Sequence, residues 1–80
     1  MSRDELRRKL DAKGVHPNAY DLDETQKDEV YCLEESPTGW TVYYRERGIR
    51  RDERTFASEQ DACDYFLDAV LRDPTTRLPR

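Results

Sequence analysis

Residues 39–48, Gly39-Trp40-Thr41-Val42-Tyr43-Tyr44-Arg45-Glu46-Arg47-Gly48, decide the fold. Trp40, Val42 and Tyr44 alternate with Thr41, Tyr43 and Arg45, and aromatic and β-branched side chains dominate. A period of two in those residue types is a β-strand with one face on a core. The stretch holds the only Trp and two of the five Tyr, so it reads as the central strand, with Trp40, Val42 and Tyr44 turned inward. Nothing in it is a catalytic candidate.

Outward from this strand, Val30-Tyr31-Cys32-Leu33-Glu34 is another, joined to it by Glu35-Ser36-Pro37-Thr38-Gly39. Pro and then Gly between two strand-like runs make a hairpin. Val30 and Cys32 are expected to face the core, and a slip of one residue would exchange them for Tyr31 and Leu33. On the other side, Gly48 supplies the positive φ of a second turn, braced by Glu46 and Arg47. A heavily charged strand then runs from about residue 50 to Phe56. The two hairpins give a three-stranded antiparallel meander.

Helices flank the meander. Residues 2–13 carry capping-box spacing at Ser2 and Glu5, a thin apolar stripe of Leu6 and Leu10, and Gly14 as a left-handed stop. Residues 58–72 are the stronger helix. Ser58 caps it, and Ala62, Tyr65, Phe66, Ala69 and Val70 recur at helical spacing as a broad apolar face that must cover the sheet. Pro74 ends it. The expected fold class is α+β, in the order α-β-β-β-α, with residues 1–72 as one domain and 73–80 as a frayed tail.

Composition bounds what such an object does. Of 80 residues, 35% are hydrophobic and 40% are charged, enough for one sheet layer under one or two helices with a solvated opposite face. Fourteen Lys and Arg against eighteen Asp and Glu leave a net charge of −4, which argues against generic nucleic-acid binding as the main task. No stretch approaches the roughly 20 apolar residues of a membrane span, and no apolar segment follows Met1 as a signal peptide would require. A cytoplasmic protein is expected. Cys32 and Cys63 sit in apolar contexts and read as reduced core thiols. With the single His16 far away in sequence they suggest no zinc site, and no cofactor is expected.

Residues 21–29 hold five acids, Asp21, Asp23, Glu24, Asp28 and Glu29, against Lys27. The spacing superficially resembles a calcium loop, but the mid-loop Gly and the twelfth-position Glu are missing. Either it is a solvated loop or it is an acidic surface offered to a basic partner. Residues 45–54 hold five arginines interleaved with Glu46, Asp52 and Glu53. With Tyr43 they suggest either a single-stranded nucleic-acid surface of Tyr43, Arg45, Arg47 and Arg50, or plain cross-strand ion pairs. His16 is the only side chain suited to ordinary acid–base work near neutrality, and it stands in a loop without a nearby nucleophile. No carboxylate is embedded in an apolar run, so no enzyme is expected.

The runs Val30-Tyr31-Cys32-Leu33-Glu34, Trp40-Thr41-Val42-Tyr43-Tyr44-Arg45-Glu46-Arg47-Gly48 and Phe56-Ala57-Ser58-Glu59 with Ala62-Cys63-Asp64-Tyr65-Phe66 carry a resemblance. Over about residues 15–72 the chain resembles small acidic actinobacterial immunity proteins of polymorphic toxin systems. The resemblance implies a cytoplasmic inhibitor that binds a toxin domain and does no chemistry. The expected contact surface is Asp21, Asp23, Glu24, Asp28, Glu29, Glu34 and Glu35, on a monomer or weak dimer. Two alternatives stand beside it, the nucleic-acid surface named above and a self-associating regulatory subunit.

Overall fold

A computed structural model of the chain describes residues 1–25 and 27–77. Helix α1 spans Arg3–Ala12, with the Ser2 hydroxyl accepting the Glu5 N–H at 3.2 Å. Its end is a Schellman motif: Gly14 takes φ +75°, the Val15 N–H reaches the Leu10 carbonyl at 3.0 Å, and the Gly14 N–H reaches that of Asp11 at 3.1 Å. Val15 is thereby folded back into the core at 2% exposure. Helix α2 spans Glu59–Arg72, with the Ser58 hydroxyl accepting the Asp61 N–H at 3.1 Å. Ala62, Cys63, Phe66 and Val70 form its buried face. The two helices are tied at their N-termini, where the Arg3 N–H donates to the Glu59 carboxylate.

The sheet has four strands rather than three: β1 (Tyr20–Asp21), β2 (Val30–Ser36), β3 (Gly39–Glu46) and β4 (Ile49–Phe56), side by side in that order. The two hairpins of the meander are present, and β1 adds a short parallel pairing to β2, Tyr20 opposite Tyr31 and Asp21 opposite Cys32. Two residues are too few to show a hydrophobic period, so nothing in sequence distinguishes β1 from a loop.

The register of β2 is the slipped one. Tyr31 stands opposite Tyr44 and Leu33 opposite Val42, on the face that the helices cover. Val30 and Cys32 turn to the other face beside Tyr43, and all three are buried there as a second, smaller cluster. The outer face is therefore sealed over β2 and β3 instead of solvated throughout. Arg50 supplies part of the seal, its guanidinium lying 4.3 Å above the Tyr43 ring.

The β3–β4 turn is a two-residue type I′ loop, with Arg47 at φ +53° and Gly48 at φ +77°. Farther along β4, Val42 pairs with Arg54 but Tyr44 pairs with Arg51, so Asp52 and Glu53 together oppose Tyr43. This is a β-bulge with Asp52 at φ +53°.

The segment 73–77, expected to fray, packs against the body. Asp73 accepts the N–H and the hydroxyl of Thr75, which starts a 3-10 turn over Pro74–Thr76. Thr76 is 4% exposed, its hydroxyl donating to the carbonyls of Val70 and Asp73, and its own carbonyl accepts the His16 N–H at 2.7 Å. Residues 78–80 of the expected tail lie outside the described residues.

Candidate functional site

The acidic loop after β1 is held by its own first residue. Asp21 is 4% exposed, and its carboxylate accepts the N–H groups of Asp23 at 3.2 Å and Thr25 at 3.0 Å. Burial by itself would raise its pKa, but the hydrogen bonds from Thr25 and Asp23 prevail and hold it below the ordinary carboxylate value. Asp21 thus faces inward as the loop's anchor, not outward as a contact residue.

Two further anchors follow. Asp23 takes a charge-assisted contact from Arg7 of α1, whose Nη2 donates to both carboxylate oxygens at 2.8 and 2.9 Å. Asp28 accepts the Gly48 N–H at 3.1 Å and so ties the loop to the β3–β4 turn. Glu24 between these points and Glu29 just after them are exposed, and both hold left-handed backbone, φ +55° and +56°. Such conformations persist in non-glycine residues only where the surroundings impose them.

Glu34 and Glu35 lie away from this loop. Glu35 stands near the far end of β2, six residues on from Glu29 and roughly 20 Å away at the rise of a strand, and its partner across the sheet is Trp40 on the helix side. Glu34 is half-buried on the outer face, where it accepts from the Tyr43 hydroxyl at 3.1 Å and from Arg50 at 2.9 Å. The expected acidic surface therefore divides, and the loop acids Asp23, Glu24, Asp28 and Glu29 are the part that stays together.

The proposed base-stacking surface has a different character from that expected. Tyr43 is only 6% exposed, under Arg50. Arg50 itself is engaged by Glu34 and Glu53. Arg45 is half-buried opposite Val30, and Arg47 is exposed at the turn. No aromatic ring of this set presents a face to a base, so the pattern is that of interleaved ion pairs.

One feature of the helix-side face was not visible in sequence. Tyr31 and Tyr44 meet edge-to-face with centroids 4.9 Å apart. They form the common floor of two clefts that flank the C-terminal end of α2. One, about 280 Å3, lies between His16, Asn18, Glu29, Asp73 and Thr75. The other, about 240 Å3, lies between β4 and α2, lined by Val42, Arg54, Tyr65, Ala69 and Arg72. The Tyr31 hydroxyl donates to Asp73 at 3.1 Å. Burial and that carboxylate push the Tyr31 pKa from 10.0 up to about 12, so the phenol stays a donor. His16 uses Nδ1 to accept the Asn18 N–H at 3.1 Å, a capping role for the 3-10 turn Pro17–Ala19.

Both thiols are buried, and burial raises their pKa values, with Asp21 adding to the effect at Cys32 and Glu59 at Cys63. They remain protonated and weakly nucleophilic. Among the described residues no three His, Cys, Asp or Glu converge as metal ligands. Among the same residues, no helix is long and apolar enough to cross a membrane. The chain matches no protein-family model, no curated protein and no solved structure.

Proposed function

We propose that the chain is a non-catalytic protein-binding module, a cytoplasmic inhibitor that neutralises a basic toxin domain through the acidic loop after β1. The observation that carries this reading is the loop's threefold anchoring, by Asp21, by the Arg7–Asp23 pair and by the Asp28–Gly48 hydrogen bond. An anchored loop loses little conformational freedom when it binds, so its charges act at full strength. Complementary charge then speeds encounter and excludes wrong partners. The resemblance over residues 15–72 favours a toxin as the partner, with the inhibitor acting as a monomer or weak dimer.

The test is co-purification with the C-terminal domain of the neighbouring gene's product, alongside the double variant Glu24→Lys and Glu29→Lys. A stoichiometric complex that suppresses toxicity, weakened at least tenfold by the double variant, is expected. Unchanged affinity in the double variant would remove the loop from the interface. Absence of any complex would remove the toxin reading.

A further inference from the structure

Strand β4 is an edge strand, hydrogen-bonded to β3 on one side, with no strand on the other among the described residues. All of its residues are exposed except Phe56, which is half-buried. A free edge presents a row of N–H and C=O groups that another strand can pair with. Here the edge borders the cleft between β4 and α2, whose walls of Val42, Tyr44, Tyr65 and Ala69 suit one apolar side chain.

The charged residues that line that cleft carry a small basic excess. Arg54 and Arg72 line it against one acid, Asp52, and Arg51 stands opposite Tyr44 on the same face, in a chain whose net charge is −4. Arg51 is paired with Glu46 and Arg72 with Asp68. Arg54 is the one arginine of β4 that forms no ion pair among the described residues. Its guanidinium is free to take a carboxylate.

We infer that this edge and cleft form a second docking surface, for a short extended segment of a partner protein in which an apolar residue is flanked by acids. The segment adds a strand along residues 53–56, places the apolar side chain in the cleft and sets a carboxylate against Arg54. Main-chain pairing supplies affinity in this mode, and the alternate side chains supply specificity. The Asp52 bulge limits the regular edge to a few residues, which suits a short segment rather than a sheet.

A second copy of the chain is the natural competitor for a free edge, and β4 is ill-suited to it. Two-fold antiparallel pairing sets one residue opposite its own copy. Residues 50–54 are Arg50, Arg51, Asp52, Glu53 and Arg54, so any pairing centred on the middle of the strand places like charges face to face. The arginines that oppose self-pairing are the ones that favour an acidic segment.

The probe is a short synthetic peptide alternating glutamate with leucine, titrated into the full chain while backbone amide resonances are followed. Expected are shifts confined to residues 53–56 and the Ala69 turn of α2, at least tenfold weaker binding in Arg54→Glu, and no binding by the twin peptide with lysine for glutamate. Arg54 lacks an ion pair, so Arg54→Glu keeps the fold. Arg8→Glu on α1 should bind as the parent does. Equal binding of the lysine peptide, shifts centred elsewhere, or no shifts at all would each overturn the inference. Concentration-dependent shifts along β4 without peptide would overturn it in favour of self-association. The variant Glu24→Lys with Glu29→Lys is expected to leave peptide binding unchanged, so this surface fails or stands separately from the acidic loop.

Discussion

Gly39 shows how much one missing methyl group decides. Its φ is +149°, and a Cβ there would collide with the backbone carbonyl oxygen of Phe56 in β4. Two costs then combine, an unfavourable backbone region and a clash with a main-chain atom that cannot swing away. Gly39→Ala is expected to destabilise the fold by about 2–4 kcal/mol, read as a lower midpoint in urea with an unchanged slope. Titratable residues set the pH limits. Asp21 and Asp73 both ionise below the ordinary value of 3.8 in the folded chain, Asp21 through hydrogen bonds that outweigh its burial, Asp73 chiefly through the Thr75 hydroxyl. Depressed folded values mean that their contribution is complete above the unfolded pKa and is lost as pH falls through the folded one. Acid unfolding should steepen below about pH 4, and Asp21→Asn should flatten that limb while costing about 1–2 kcal/mol at neutrality. At the alkaline end the sign reverses. Tyr31, raised to about 12, and Tyr43, raised by burial and the neighbouring Cys32, contribute fully below pH 10. That contribution is lost as pH climbs through their folded values. Tyrosinate absorbance should therefore rise in two steps, Tyr31 and Tyr43 ionising together with unfolding.

Elements divide by how much of their environment is written in their own pattern. Helix α2 was legible because its apolar residues keep one period, and both helix caps were legible because Ser2 and Ser58 stand three residues before the N–H groups that they accept. Strand β2 was legible as a strand but not in its facing, since Val30, Tyr31, Cys32 and Leu33 are apolar in succession. That run arises because both faces of β2 are covered, by helices on one side and by the Tyr43–Arg50 seal on the other, so the period of two vanishes. The seal itself is testable. Arg50→Ala removes the cation above Tyr43, a loss of about 0.5–1 kcal/mol, and should speed chemical labelling of Cys32 two- to fivefold. Cys63, on the buried face of α2, should label at the parental rate. The β3–β4 turn makes the opposite kind of prediction. Arg47 occupies a left-handed position that asparagine tolerates better, and Asn-Gly is the preferred pair for a type I′ turn. Arg47→Asn is expected to raise stability by about 0.5–1 kcal/mol, measured by thermal or urea unfolding.

For the whole molecule, the identity of the acids was readable from the chain but their grouping was not. Asp21 turns inward because its carboxylate serves the backbone of its own loop, a local role that composition cannot reveal. Glu34 is drawn away by Tyr43 and Arg50, a choice made by cross-strand register. What remain outward are the loop acids Asp23, Glu24, Asp28 and Glu29, set in a molecule of net charge −4. A loop of this kind should act on the rate of association more than on the lifetime of the complex. Long-range attraction acts before contact and is screened over about 8–10 Å at ordinary ionic strength. The association rate with a basic partner domain is therefore expected to fall at least tenfold between low and high salt, with the dissociation rate changing little. In Glu24→Lys with Glu29→Lys the low-salt rate should drop to near the parent's high-salt rate, and its salt dependence should largely disappear. Stopped-flow mixing at several ionic strengths separates the two rates. A salt effect carried mainly by dissociation would place buried charge pairs, rather than this exposed loop, at the centre of recognition.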